Sequence, residues 1–172
     1  MNWFWLSEDN LLIHLGSPMD SKALITAIQI EHSINDQRPE WLLDHCYGFG
    51  KLSLRVKPHL VDAEQILDWL NFSLRDEGLV DQCNESVIVI EACYDERVAP
   101  DLYAVCERLE LLPDEMVKIH CETTYRVWAT GFAAGFGYLG ETDARLHLPR
   151  KDVPLTRIPA GSLAIAANQT AV

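Results

Sequence analysis

The 172-residue sequence lacks the features that mark several large classes of protein. It has no run of eighteen or more apolar residues, so no segment predicts a membrane span. Its formal net charge is −12, and the lack of an overall positive charge argues against nucleic-acid binding as the main function. Neither a G-K-[ST] sequence nor a G-x-S-x-G sequence occurs, which excludes a P-loop and the usual hydrolase elbow.

Cysteine is present, but without a pattern. The five cysteines are an odd number and none lies in a C-x-x-C pair, which favours reduced thiols over a disulfide framework. The six histidines and five cysteines show no ligand spacing, so we predict no metal site. The first residues have no basic region and carry Glu8 and Asp9 where a signal peptide would be apolar. We therefore expect a cytoplasmic protein.

Residues 1–80 predict a small α+β domain whose antiparallel sheet is covered on one side. Apolar runs and helical spacing indicate the order strand, helix, strand, strand, helix. We place the strands at 10–16, 41–50 and 51–58, and the helices at 21–34 and 63–78. Asp20 or Ser21 can cap the first helix and Asp62 the second, which Gly78 would end.

Residues 77–86 are polar and predict a linker to a second domain, 86–172. That domain opens with the β-branched run SVIVIEACY, and two helices follow after Pro100 and from Pro113. From residue 123 onward, short apolar runs broken by Gly and Pro are typical of a β-barrel or sandwich. The predicted strands are 124–132, 145–150 and 161–167.

The stretch GFAAGFGYLG (131–140) contains a G-x-G-x-x-G pattern. A dinucleotide site needs a crossover helix after the glycines, and 141–154 is too short and too rich in proline to form one. Two interpretations remain. The glycines and aromatics can surround a flat or anionic ligand with backbone amides and ring faces, or they can form a tight barrel corner with the aromatics in its core. Residue chemistry alone favours the corner.

His120 is followed directly by Cys121, but neighbours on a helix point about 100° apart, so adjacency does not support a Cys–His nucleophile. A histidine at a helix end that interacts with carbonyl groups is the simpler interpretation. His14 and His147 lie in predicted strands where apolar and polar residues alternate, which favours structural roles for both. The last 32 residues are locally basic and could hold a carboxylate or phosphate. The cations there are Arg145, Arg150, Lys151 and Arg157.

Residues 125–172 resemble the signature of the 5-oxoprolinase B-subunit family, also described as allophanate hydrolase subunit 1 or KipI-like. That signature has a Tyr-x-Val strand, a G-F-x-P-G-F-x-Y-L-G loop, a Pro-Arg pair, a P-A-G-S-[VL]-x-I turn and a Q-T-G-[IV]-Y-P segment. Here these match YRV, GFAAGFGYLG, PR, PAGSLAI and QTAV. Related modules occur in the carboxyltransferase parts of urea-processing enzymes.

The resemblance implies a ferredoxin-like N-terminal domain followed by a cyclophilin-like β-barrel. It implies a hydrolase of several different chains, a hetero-oligomer that opens the lactam 5-oxoproline to glutamate at the expense of ATP. The partners would be a homologous C-type subunit, similar to allophanate hydrolase subunit 2, together with an A-type subunit. A small carboxylate or lactam would be the substrate. One branch of the family inhibits a sporulation histidine kinase, so a KipI-like regulator of a sensor kinase and an inactive truncated homologue are the alternatives.

The resemblance also implies site residues. Its upstream and Pro-Arg positions fall on Asp101, His120 and Arg150 as candidate catalytic residues. The candidate substrate-binding residues are Gly131, Phe132, Gly135, Phe136, Tyr138, Leu139, Gly161 and Ser162. Lactam opening needs donors at a developing oxyanion and a cation at the substrate carboxylate, for which the loop amides and Arg150 are suited. His120 could protonate the leaving nitrogen.

The chain departs from the family pattern in three places. Ala134 and Gly137 replace prolines of the loop, and DERVA (95–99) replaces a glycine pair. The sequence also stops at Val172, before the Tyr-Pro of the pattern, so we expect an incomplete barrel with exposed strand edges. A fragment, a partner that completes the sheet and a degraded relative all remain open.

Overall fold

A computed structural model describes residues 2–75, 86–153 and 155–172. The chain divides into two compact units, Met1–Ser86 and Val87–Val172, which are taken separately below. Apart from Ser86, the predicted linker 77–86 lies outside the described residues, and so does Gly78.

The first unit contains four strands and two helices. They are β1 (Asn2–Ser7), β2 (Asn10–His14), α1 (Ser21–Asp36), β3 (Leu42–Gly48), β4 (Lys51–Val56) and α2 (Ala63–Ser73). The strand order is β1-β2-β4-β3, and every neighbouring pair is antiparallel. Helices together with antiparallel sheet confirm the predicted α+β class. Strand β1 is not predicted from the sequence, because NWFWLS does not alternate apolar and polar residues.

Local sequence signals explain most of this unit. Alternation in β4 places Leu52, Leu54 and Val56 in the core, where they pack with residues of β2, α1 and α2. The side chain of Asp20 accepts a hydrogen bond from the backbone of Lys22 at 2.8 Å, which caps α1 as predicted. The predicted cap of α2 is also present, as a capping box between Asp62 and its third helical residue.

The second unit combines two helices with a four-stranded sheet. Its elements are α3 (Leu102–Leu109), α4 (Pro113–Glu122), β5 (Arg126–Thr130), β6 (Gly137–Gly140), a 3-10 turn (Ala144–Leu146), β7 (Ala164–Ala166) and β8 (Gln169–Ala171). The strand order is β5-β6-β8-β7, again with antiparallel neighbours. Its buried core consists of Leu102, Cys106, Met116, Ile119 and Leu146. None of the helices in the described part of the chain could cross a membrane.

The predicted strand at 145–150 is wrong. The Asp143 side chain accepts a hydrogen bond from the backbone N–H of Arg145 at 2.9 Å, and the Asp143 carbonyl accepts one from Leu146 at 2.8 Å. This capped turn takes the first residues of the segment out of extended conformation. Within 145–150, the pairing that the structure records is a single bridge between Leu148 and Ala167.

Candidate functional site

Residues 131–136 form the turn of a hairpin between β5 and β6, and we call this turn the glycine loop. Gly131 and Gly135 have φ values of 148° and 80°, and Phe132 also lies at positive φ. The turn is closed by hydrogen bonds from Gly131 N to Phe136 O (3.2 Å) and from Phe136 N to Ala133 O (3.1 Å). Within the described part of the chain, the amides of residues 132–135 donate to no group. They are therefore available to a ligand.

Aromatic rings form a row along this loop. The ring centroids of Phe132 and Phe136 are 5.5 Å apart, those of Phe136 and Tyr138 are 4.9 Å apart, and both contacts are edge-to-face. Phe132 is 90% exposed, so it does not fill a core. The loop thus presents ring surface and free amides to solvent together, as the ligand-binding interpretation requires.

His120 occupies a different environment, because it is buried at the C-terminal end of α4. Its Nδ1 atom lies 2.5 Å from the Tyr94 hydroxyl, and its Nε2 atom lies 3.1 Å from Oγ1 of Thr170. The Thr170 hydroxyl donates to the Ala164 carbonyl at 3.0 Å, so it accepts from Nε2–H of His120. Nδ1 then accepts the Tyr94 hydroxyl proton. Both ring nitrogens of a neutral imidazole are satisfied by this arrangement.

Burial sets the protonation states around His120. It lowers the pKa of His120 below its usual range, because the charged imidazolium loses solvation. It also raises the pKa of Tyr94, with a further contribution from the hydrogen bond to Cys121. Burial raises the pKa of Tyr125 too, and the Tyr125 hydroxyl donates to the His120 carbonyl at 2.9 Å. Near neutral pH the cluster therefore consists of uncharged hydrogen-bonding groups.

The sheet links this cluster to the glycine loop. Thr170 of β8 is the register partner of Leu139 in β6, and β6 is the strand that the loop enters. Residues opposite each other in an antiparallel pair face the same side of the sheet. His120 therefore lies under the sheet that carries the loop, with Thr170 between them.

Two of the cationic side chains in the basic segment, residues 141–172, form ion pairs with carboxylates of the same chain. Lys151 Nζ lies 2.6 Å from Oδ2 of Asp101, which immediately precedes α3. Arg145 likewise pairs with Asp143 at 2.8 Å. Arg150 is exposed, and no carboxylate in the described part of the chain pairs with it. Arg150, the arginine of the Pro-Arg pair, thus remains available to an anion, whereas Arg145 and Lys151 do not.

Gly161 and Ser162 form a separate turn. Gly161 has a φ of 76°, and Ser162 directs both its backbone N–H (3.3 Å) and its hydroxyl (2.7 Å) to the Pro159 carbonyl. Among the described residues, no hydrogen bond joins this pair to the glycine loop, Arg150 or His120. Two predicted site residues are thus connected to others: His120 to β6 through Thr170, and Asp101 to Lys151, the residue after Arg150. Gly161 and Ser162 are not hydrogen-bonded to any of them among the described residues.

Sequence reasoning missed Tyr94, Tyr125 and Thr170, which surround His120. Tyr94 and Thr170 lie 26 and 50 positions from His120, so no local spacing could have indicated them. In the described part of the chain, no group of three or more His, Cys, Asp or Glu side chains could hold a metal ion.

Comparison with known proteins finds one family model over the whole sequence. The model for the carboxyltransferase domain, subdomain C and D, matches residues 1–172. Three curated relatives are named as the B subunit of 5-oxoprolinase. The relative from Bacillus subtilis (strain 168) is 41% identical over 91 residues, which are 53% of this chain and 38% of that protein. The chain therefore matches well under half the length of that relative.

The other two relatives differ in how much they align. The protein from Haemophilus influenzae is 28% identical over 166 residues, or 90% of this chain and 77% of the relative. The protein from Escherichia coli O157:H7 is 39% identical over 85 residues, or 49% of this chain and 39% of the relative. Among solved structures, TTHA0988 is similar with a TM-score of 0.80 and 29% identity. That match covers 95% of this chain and 31% of TTHA0988.

Proposed function

We propose that this chain is one subunit of a 5-oxoprolinase-type complex. It belongs to the family described as carboxyltransferase domain, subdomain C and D. The observation that carries this proposal is the match to three proteins named as the B subunit of 5-oxoprolinase, one of them aligned over 90% of this chain. The complex would open the lactam of 5-oxoproline to glutamate with ATP, and this chain would act with homologous C-type and further A-type subunits.

The glycine loop is suited to the lactam. When the ring opens, negative charge develops on the amide oxygen, and prearranged donors that meet that charge lower the barrier. The unpaired amides of residues 132–135 are such donors, since the turn already fixes their backbone. The exposed ring of Phe132 would cover the ring of the substrate and exclude water.

Arg150 would hold the carboxylate of the substrate. A guanidinium can bind a carboxylate with two parallel hydrogen bonds, which fixes orientation as well as charge. The neighbouring Lys151 is held by Asp101, so we assign Asp101 to positioning this segment rather than to contact with substrate. That assignment changes the role that the family pattern implies for Asp101.

His120 would act indirectly. Its ring is buried and both nitrogens already bond to hydroxyl groups, so a proton would reach a substrate only through Tyr94 or Thr170. Thr170 is the register partner of Leu139 in β6, the strand that follows the glycine loop. Because His120 donates to Thr170, it would help to fix the position of β6 and so of the loop. We therefore place His120 as a positioning residue.

ATP would be bound by another chain of the complex. A triphosphate is disfavoured on this chain, because two of the four cations in the basic segment, Arg145 and Lys151, are already paired with Asp143 and Asp101 and the chain carries a net charge of −12. No step on this chain is therefore assigned to the nucleotide. When bound elsewhere in the complex, ATP would supply the phosphoryl group that activates the amide oxygen.

The fold descriptions implied by the family also belong to this proposal. A ferredoxin-like sheet has the order 4-1-3-2, and the antiparallel order β1-β2-β4-β3 reproduces it if β1 replaces a fourth strand that would otherwise follow α2. We thus propose a circularly permuted ferredoxin-like unit. The sheet β5-β6-β8-β7 would be part of a cyclophilin-like barrel.

Reconstitution tests the function. This chain, mixed with its A-type and C-type partners, should release glutamate from 5-oxoproline in the presence of ATP, and omission of this chain should abolish release. Without glutamate release from the complete mixture, the proposed function is wrong. Inhibition of a sensor kinase would then become the next activity to assay.

A matched pair of variants tests whether Arg150 binds the carboxylate of the substrate. Loss of a charged hydrogen-bonding partner costs about 1.5–3 kcal/mol, so Arg150→Ala should raise the KM for 5-oxoproline about 10- to 100-fold. Arg157→Ala removes another exposed arginine of the same segment and should leave KM unchanged. An unchanged KM for Arg150→Ala would remove Arg150 from the site.

A further inference from the structure

A chain of three hydrogen bonds runs from Tyr94 through His120 and Thr170 to the backbone of β7. The Tyr94 hydroxyl lies 2.5 Å from Nδ1 of His120, and Nε2 of His120 lies 3.1 Å from Oγ1 of Thr170. The Thr170 hydroxyl lies 3.0 Å from the Ala164 carbonyl oxygen. His120 and Thr170 are buried, so these contacts hold whatever covers the surface of this unit. We call this series the hydrogen-bond chain.

The Ala164 carbonyl fixes the direction of the hydrogen-bond chain, because a carbonyl oxygen can only accept. Thr170 has a single hydroxyl proton, and Ala164 receives it. Nε2 of His120 can therefore bond to Thr170 only as a donor, which places the proton of the neutral imidazole on Nε2. Nδ1 keeps a lone pair, and the Tyr94 hydroxyl donates to it.

A proton can reach His120 at one end of the hydrogen-bond chain only. At the Ala164 end the carbonyl has no proton to release, so Thr170 cannot pass one to the imidazole. At the other end, the Tyr94 oxygen can take a proton from a molecule bound to it while the Tyr94 proton moves to Nδ1. The bound molecule loses one bond to hydrogen, Tyr94 breaks one O–H bond and forms another, and His120 becomes an imidazolium.

The protonation states suit this direction of transfer. Burial lowers the pKa of His120, so the ring is neutral near pH 7 and able to accept a proton. Burial raises the pKa of Tyr94, so its hydroxyl keeps a proton to hand on. The titratable groups that face the ring or its partners are Tyr94, Tyr125 and Cys121. Among the described residues, no carboxylate forms an ion pair with His120.

We propose that Thr170 is a positioning residue that fixes the Nε2–H tautomer of His120, and that His120 accepts protons through Tyr94. A neutral ring whose proton is held by Thr170 has none to give at Tyr94, so the arrangement suits a base. This reverses the role of proton donor to the leaving nitrogen that the resemblance implies for His120. In the hydrolysis, the base would take a proton from the water that attacks the activated amide carbon. That step rests on the proposed function, whereas the tautomer does not.

Nitrogen NMR of isotope-labelled histidine rings in the full chain tests the tautomer. At about pH 7.5, His120 should be neutral with its proton on Nε2 in wild type and in Thr170→Ser, which keeps the hydroxyl. Thr170→Val places a methyl group where Oγ1 lay, 3.1 Å from Nε2, which leaves no room for a proton between them. The proton should then move to Nδ1, and the Tyr94 hydroxyl should turn to Sγ of Cys121, 3.9 Å away. A proton on Nδ1 in wild type, or one that stays on Nε2 in Thr170→Val, would overturn the proposal.

A matched pair of tyrosine variants tests the contact at Nδ1. Tyr94→Phe removes the donor and should move the Nδ1 resonance of His120 downfield. Tyr125→Phe removes a hydroxyl that bonds to the backbone carbonyl of His120 and should leave the ring resonances unchanged. His147 is an internal reference, because its Nε2 atom bonds to the Thr142 carbonyl. An unchanged Nδ1 resonance in Tyr94→Phe would overturn the role of Tyr94, and this comparison decides even if Thr170→Val does not fold.

Glutamate release by the reconstituted complex tests the proton transfer. A positioned acid–base group contributes about 10²–10⁴-fold, so Tyr94→Phe and Thr170→Val should lower kcat about 100-fold or more, with KM little changed. Thr170→Ser and Tyr125→Phe should stay close to wild type. The wild-type kcat should fall below about pH 6.5, as His120 becomes protonated, and Tyr94→Phe should lack this fall.

The two proposals fail in different ways. An unchanged kcat in Tyr94→Phe, measured with an active complex, would overturn the transfer of a proton through Tyr94. A wild-type complex that releases no glutamate would instead contradict the proposed function, and the NMR spectra would still decide the tautomer of His120 and the role of Thr170.

Discussion

At the scale of single residues, two glycines of the β5–β6 hairpin are expected to behave differently, Gly135 in its turn and Gly137 at the start of β6. Gly135 has a φ of 80°, and a Cβ added there would meet nothing within 4 Å, so the obstacle to a side chain is the backbone conformation alone. A Cβ at Gly137 would lie 3.6 Å from Val127, an ordinary contact, and Gly137 has no positive φ. The pair separates backbone strain from steric packing.

Gly135→Ala should therefore distort the loop, while Gly137→Ala should not. An alanine held in the left-handed region costs about 1–2 kcal/mol. We expect faster hydrogen exchange of residues 131–136 and a reduced rate of glutamate release by the reconstituted complex for Gly135→Ala only. Equal exchange rates in the two variants would contradict the importance of positive φ at Gly135.

His120 gives a prediction about pH. Its pKa is lowered in the folded state, so below about pH 6.5 the unfolded chain binds a proton that the folded chain does not. Stability should consequently fall as pH drops below about 6.5, and this loss should level off once the folded state also binds the proton. Urea midpoints measured from about pH 7.5 to about pH 5 should show a shallower pH dependence for His120→Gln than for wild type. Parallel curves would contradict a buried neutral His120.

At the scale of elements, the start of α2 can be tested by removing its cap. Asp62 accepts from Gln65 N at 2.9 Å, and the Gln65 side chain accepts in return from Asp62 N at 3.0 Å. Asp62→Ala should reduce the free energy of unfolding of the first unit by about 1 kcal/mol. Asp68→Ala removes the same charge from an exposed position of α2 and should cost only a few tenths, about 0.3 kcal/mol. Equal losses would show that charge, and not capping, sets the helix start.

At the scale of the whole molecule, each unit has its own core. Leu54 is fully buried in the first unit, and Leu146 is fully buried in the second. Leu54→Ala and Leu146→Ala should each destabilise the protein by about 2–5 kcal/mol. Hydrogen exchange should locate the largest loss of protection in residues 2–75 for the first variant and in residues 87–172 for the second. The same exchange pattern in both variants would contradict separate cores.

The sequence by itself determined the features that depend on neighbours a few positions apart. Alternation in β4, the caps at Asp20 and Asp62, and the proline start of α4 act within one turn or one strand, so they are legible without the fold. The motifs of residues 125–172 also indicated the family, which the family model confirms. The assignments of Arg150, Gly161 and Ser162 to a substrate site remain predictions.

Only the tertiary structure decided which distant groups meet. It buried His120 between Tyr94 and Thr170, 26 and 50 positions away, and so replaced the expected contact with helix carbonyls. It paired β1 with β2 and left residues 87–90 exposed, although both stretches are apolar. The physical reason is that burial and strand pairing depend on which segments are brought together, whereas propensity and capping depend on the sequence nearby.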